Sequence, residues 1–243
     1  AKMIKSIGVL LLLMVFLISL SACGNVLSSH GNRADSVVTL KTAAKSNAAE
    51  TKAQPVLYIY HTHSFETYAD GKGVIEIGKA LTDYISQTYG VKVIHDTTKY
   101  GEQEKAQAYE DALKGLQAAL KSNPDITHFF DIHREAGRAM YTRIDGKKVA
   151  PVSFVVGKEA NYTGKEKPNY KQTYAFAMRM HEQLANHSVN LVFPLFEKDG
   201  RYNQHLPGTC ALINIGFHEN DFAEAAAVVP YLAEAIVEAI EGK

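Results

Sequence analysis

Two short segments of this chain gather side chains that bind metal ions. The first reads His61-Thr62-His63-Ser64-Phe65-Glu66, and the second reads Asp131-Ile132-His133-Arg134-Glu135. In the first, His63 and Glu66 offer an imidazole and a carboxylate at three-residue spacing, which one turn of chain aims at one ion. Two histidines and one carboxylate, with a fourth position left to water, form a catalytic zinc pattern. Zinc lowers the pKa of water toward ~7 and polarises a carbonyl oxygen, which is what amide hydrolysis needs. A nearby carboxylate then moves the proton.

Such groups must be held by a frame. Val56–Tyr60 is a short apolar run after Pro55 and reads as a buried strand of a parallel sheet. The first cluster follows its carboxyl end, where open α/β sheets carry their sites. Val74–Tyr89 has apolar residues at helical spacing, and Gly90 stops it. Residues 91–95 read as a strand, 101–122 as an amphipathic helix and 126–133 as a strand ending at the second cluster. Asp145-Gly146 marks a hairpin turn between 140–144 and 149–156. A helix over 169–186, a strand over 190–196, a polar loop over 197–208, a strand over 210–216 and a closing helix over 221–241 complete the pattern. Strands alternating with helices predict an α/β fold, with a mostly parallel twisted sheet, helices on both faces and a β-hairpin insertion.

The 243 residues carry 26 basic and 26 acidic side chains, a balance that argues against nucleic acid as a partner. The length suffices for one core of ~150–200 residues plus extras. Two cysteines, Cys23 near the N-terminus and Cys210 among apolar residues, do not make a disulfide framework. Residues 1–23 read as a signal peptide: lysines, an apolar run to Leu20, then Leu20-Ser21-Ala22-Cys23. An uncleaved membrane anchor is the alternative. Either way the rest is expected outside the cytoplasmic membrane. Residues 24–54, rich in Ser, Ala, Lys, Asn and Thr, read as a flexible tether, and 55–243 as the folded domain.

Leu-Ser-Ala-Cys resembles the lipobox of bacterial lipoproteins, which implies cleavage before Cys23 and its acylation. From Pro55 to the C-terminus, HTHSFETY, DIHRE, SFVVG, RYNQHL and the ALINIG strand together resemble the stage II sporulation protein P family. The resemblance implies a zinc-dependent cell-wall hydrolase that cuts peptidoglycan during forespore engulfment. The implied activities are N-acetylmuramoyl-L-alanine amidase and peptide-crosslink endopeptidase. It also implies a partner lytic transglycosylase, a membrane scaffold, and a fold like that of the zinc wall amidases and zinc carboxypeptidases. Carried onto this chain, the zinc ligands are His63, Glu66 and His133. His61 competes with His63 for the first place, or orients a ligand, or faces the scissile carbonyl. Arg134 is a candidate to hold a substrate carboxylate bidentately. Asn203 is a candidate to bond the peptide stem.

One position departs from the family. Its last strand carries a glutamate as general base, and Asn214 stands there. Asparagine cannot accept a proton from water. Glu219 or Glu135 then acts instead, or the enzyme is slow by a factor of ~10²–10⁴, or the domain binds wall peptide without cutting it. A zinc carboxypeptidase acting on wall peptides is a further reading. His95, His128, His181, His187 and His205 are read as structural or surface residues.

Overall fold

The computed structural model describes residues 54–102, 107–158 and 166–242. The leader, the tether and Cys23 lie outside the described residues. Among the described residues, no helix is long and apolar enough to cross a membrane.

The frame is a six-stranded mixed sheet flanked by helices. Its strands are β1 (Val56–Tyr60), β2 (Lys92–His95), β3 (Ile126–Glu135), β6 (Val152–Lys158), β7 (Phe196–Asp199) and β8 (Thr209–Phe217), in the order β2-β1-β3-β8-β6-β7. The first four in that order are mutually parallel, β6 runs antiparallel to β8, and β7 runs parallel to β6. A separate two-stranded hairpin holds β4 (Thr142–Ile144) and β5 (Lys147–Val149).

Strand alternation sorts the core into two layers. Leu57 and Ile59 of β1 meet Ile77, Leu81 and Ile85 of α1 (Val74–Tyr89), with apolar residues of α3 (Tyr170–His187) and α5 (Val229–Glu241) in the same cluster. Val56, Tyr58 and Tyr60 point the other way, toward Ala112, Leu113 and Leu116 of α2 (Ala108–Ser122). Every residue of β1 is therefore buried, which is why its sequence is apolar without a break. Cys210 packs in the α2 layer, where burial and the Asp131 carboxylate push its thiol up to about 12.

Four expectations need correction. The arm expected over 149–156 is two strands: β5 ends at Val149, and beyond Pro151 β6 joins the main sheet beside β8. Within 190–195 only Val192 forms an isolated bridge, to Val152. The strand in that region is β7, whose Glu197, Lys198 and Asp199 fall in the expected loop and are exposed, as an edge strand permits. The closing helix is broken into α4 (Phe222–Ala226) and α5, which begins with Pro230 in its first turn. Proline has no N–H to continue the first helix, so the chain turns through Ala227 and Val228. The helix expected from 101 begins at Ala108.

Candidate active site

The site forms where β1, β3 and β8 end side by side. After Tyr60 the chain turns tightly, with the Glu66 N–H donating to His63 O at 2.9 Å. That turn is fixed on both sides. Val74 N–H at the start of α1 donates to Glu66 O at 3.0 Å, and a Cβ on Gly73 would stand only 2.7 Å from that oxygen. Glycine is thus the residue that lets α1 approach the ligand turn. On the other side, Asp131 accepts from the Thr62 N–H at 2.8 Å and the Thr62 hydroxyl at 2.6 Å, joining β3 to the same turn.

His63, Glu66 and His133 converge, with ligating atoms that all lie within 4.8 Å of one another. His63 Nδ1 is 3.5 Å from Glu66 Oε1, and His133 Nδ1 is 3.3 Å from Glu66 Oε2. A tetrahedral zinc with bonds of about 2.0–2.1 Å separates its ligands by about 3.4 Å, so the donor types and spacing fit such an ion. His133 Nε2, on the far side of its ring, lies 2.9 Å from Asp131 Oδ1, at ion-pair range but off the line a hydrogen bond requires. A carboxylate behind a ligating histidine is the usual brace of a metal site.

The electrostatics agree with a tightly coupled cluster. Burial alone would raise the Glu66 pKa. Hydrogen bonds from His133, His63 and the Arg134 N–H outweigh it and hold the carboxyl well below the usual range. Burial would lower the His133 pKa, but the Asp131 and Glu66 carboxylates push it up to about 10. Asp131 is itself held low, because the His133 charge and Thr62 donors overcome its burial.

The cluster floors a cleft of about 320 Å³, also lined by Tyr109, Arg134, Glu135, Lys198, Tyr202 and Asn214. A larger groove of about 470 Å³ opens beside Pro55, Tyr89 and Ile240, but it holds none of the clustered ligands. Arg134 lines the cleft, with its Nε donating to Thr67 O at 2.9 Å. Asn214 pairs in register with His133 on the adjacent strand, and its Nδ2 donates to Glu135 Oε2.

Three expected site residues stand elsewhere. His61 is fully buried behind the cleft: its ring lies 3.2 Å from Ile132 O and 2.9 Å from His95 Nε2, beneath Gly78 of α1. It neither joins the cluster of metal-binding side chains nor lines the cleft, whereas His63 does both. Glu219 is exposed and outside the cleft lining, because the chain leaves β8 at Phe217 and turns back toward Gly137. Asn203 is buried, with φ at 53° and its Nδ2 donating to Tyr109 O at 3.0 Å. It braces α2 and is absent from the cleft lining. Its neighbour Tyr202 is the residue on the cleft wall, its ring 5.6 Å from that of Tyr109.

Asp131, Tyr109, Lys198 and Tyr202 carried no assigned role in the sequence. Asp131 had a readable signal, since it precedes His133 by two residues and so shares its strand face. The other three reach the cleft from α2, β7 and a loop, at spacings no local motif records.

The model of the stage II sporulation protein P family matches residues 26–237. The chain belongs to that family. Stage II sporulation protein P of Bacillus subtilis strain 168 is 26% identical over 200 residues, covering 72% of this chain and 48% of the relative. The chain thus spans about half the length of that curated relative. Among solved structures, the N-acetylmuramoyl-L-alanine amidase of Clostridium difficile 630 is similar over 79% of this chain and 97% of its own, with 15% identity and a TM-score of 0.50. The Ami1 amidase of Mycobacterium smegmatis is similar over 77% and 95%, with 12% identity and a TM-score of 0.50. At these identities the likeness is one of fold: the family member shares its layered sheet with wall amidases.

Proposed function

We propose that this family member is a zinc-dependent peptidoglycan hydrolase that cuts amide bonds of the stem peptide, as an N-acetylmuramoyl-L-alanine amidase, an endopeptidase or both, during engulfment in sporulation. The observation that carries the reading is the convergence of His63, Glu66 and His133 at the floor of an open cleft. Those three residues would hold the ion, which supplies Lewis acidity for the scissile carbonyl and lowers the pKa of water. Arg134, anchored through Nε, keeps its terminal nitrogens for a substrate carboxylate. Tyr109 and Tyr202 form an aromatic wall against which a peptide stem lies. The domain works outside the cytoplasmic membrane, held by an N-terminal lipid on Cys23 or a signal anchor, alongside a lytic transglycosylase and a membrane scaffold.

One observation favours a second reading, a wall-binding homologue that does not cleave: Asn214 offers an amide where the family's base is expected. Incubating the full chain with muropeptides and one equivalent of zinc separates the two. New amino groups and free stem peptides support the hydrolase. Retention of intact muropeptide at full zinc occupancy supports the binder.

A further inference from the structure

Glu66 and Glu135 are the two carboxylates lining the cleft among the described residues. Glu66 is committed to His63, His133 and the Arg134 N–H. Glu135 has a different set of partners. It follows His133 by two residues on β3, and although the register slips between them, its side chain returns to the cleft. Its Oε2 accepts from Asn214 Nδ2 at 3.2 Å, and its Oε1 accepts from the Ala136 N–H at 3.2 Å. Asn214 is in turn fixed by a second bond, from Nδ2 to Ser153 Oγ at 3.1 Å. Each carboxylate oxygen has two acceptor positions, so holding both oxygens once still leaves room for water.

We propose that Glu135 is the general base of this cleft and that Asn214, on the adjacent strand β8, is its positioning residue. The proposal rests on the hydrolytic reading above. Water attacks the carbonyl carbon of the scissile amide, and the new C–O bond forms as one water proton passes to a Glu135 oxygen. The C–N bond then breaks, and that proton goes from Glu135 to the departing nitrogen. The products are a carboxylic acid and an amine, Glu135 returns to its starting state, and no redox partner is involved. A donor amide at 214 suits this arrangement better than a second carboxylate. Two like charges at 3.2 Å would repel, whereas the amide ties the single carboxylate down.

The test uses the zinc-loaded full chain, muropeptide substrate and chelator competition for zinc affinity. Glu135→Gln keeps an oxygen for Asn214 and is expected to lower kcat by about 10²–10⁴-fold with KM unchanged. Asn214→Ala is expected to lower kcat more than tenfold, again with KM unchanged. The double variant Glu135→Gln with Asn214→Glu returns a carboxylate from the β8 side and is expected to recover at least tenfold of the loss. Zinc affinity stays within threefold in every variant, a readout that a ligand-bracing role would move. Turnover of Glu135→Gln within threefold of the parent, or a tenfold fall in its zinc affinity, overturns the assignment and leaves the hydrolase reading standing. A parent inert at full zinc occupancy that cleaves only after Asn214→Glu overturns both.

Discussion

Replacing Gly78 with alanine sets two opposed effects against each other. In the middle of α1, glycine is the weaker helix former, so propensity alone predicts a gain of about 0.8–1 kcal/mol. The packing predicts the reverse. The new Cβ would stand 2.4 Å from His61 Cε1, 2.6 Å from His61 Nε2 and 2.8 Å from His95 Nε2. Either the helix or the ring pair must retreat by roughly 1 Å, and overpacking of this kind costs about 1–3 kcal/mol. His61 is fully buried and bonded to Ile132 O, so displacing it also weakens a buried hydrogen bond worth about 0.5–1.5 kcal/mol. The net expectation is a destabilisation of about 2 kcal/mol. Because Ile132 precedes His133 and His61 follows the last residue of β1, the same shift is expected to loosen the turn that carries His63 and Glu66, so that zinc affinity falls with stability. Urea unfolding at pH 7 reads the first effect and chelator competition the second. A variant as stable as the parent, or more stable, refutes the steric reasoning. Truncating His61 to alanine in the Gly78→Ala background should recover part of the loss, since the two positions are in contact.

Further outcomes follow from the ligand cluster and the buried histidines. With His133 pushed up to about 10, the metal-free site holds a proton that zinc must displace. Zinc affinity is therefore expected to rise up to tenfold per pH unit between about pH 6 and 9, with release of about one proton, measurable by calorimetry in buffers of different ionisation enthalpy. Glu66→Gln is expected to abolish the stabilisation by zinc, which at one hundred times Kd is about 2.7 kcal/mol in the parent; thermal melts with and without EDTA check it. Burial, with the nearby Arg179 cation, lowers the His128 pKa to about 4, below its unfolded value of about 6.5. The neutral ring is the folded form, so stability is intact above about pH 6.5 and falls by up to about 3 kcal/mol as pH drops toward 4. Urea midpoints across that range should fall less steeply in His128→Phe.

How much the sequence disclosed depended on whether neighbours in the chain carried the signal. β1 and α1 were readable to the residue, because an unbroken apolar run is buried on two faces and Gly90 ends the helix in a left-handed turn with φ at 66°. The His63–Glu66 pair and His133 were readable because the pair follows β1 and His133 lies near the carboxyl end of β3. β7 was not, since an edge strand of Phe-Glu-Lys-Asp is exposed throughout and shows neither alternation nor apolarity. The break before α5 was written in Pro230, but the apolar periodicity on either side of it hid the stop. His61 misled because its neighbour at 63 joins the cluster: two residues apart in a turn, unlike two residues apart in a strand, do not share a face. The Glu135–Asn214 contact joins positions 79 residues apart, and only the β3–β8 register brings them together.

Cys210 gives the domain a built-in reporter of its own opening. It is the free thiol among the described residues, and with its ionisation displaced to about 12 almost no thiolate exists at neutral pH. Oxidants and alkylating agents reach it only when its covering layer, α2 with the loop that carries Asn203 and Leu206, opens. The rate at which a maleimide pulse marks the peptide containing residue 210 therefore times the breathing of the layer that carries Tyr109, without any label having to be engineered.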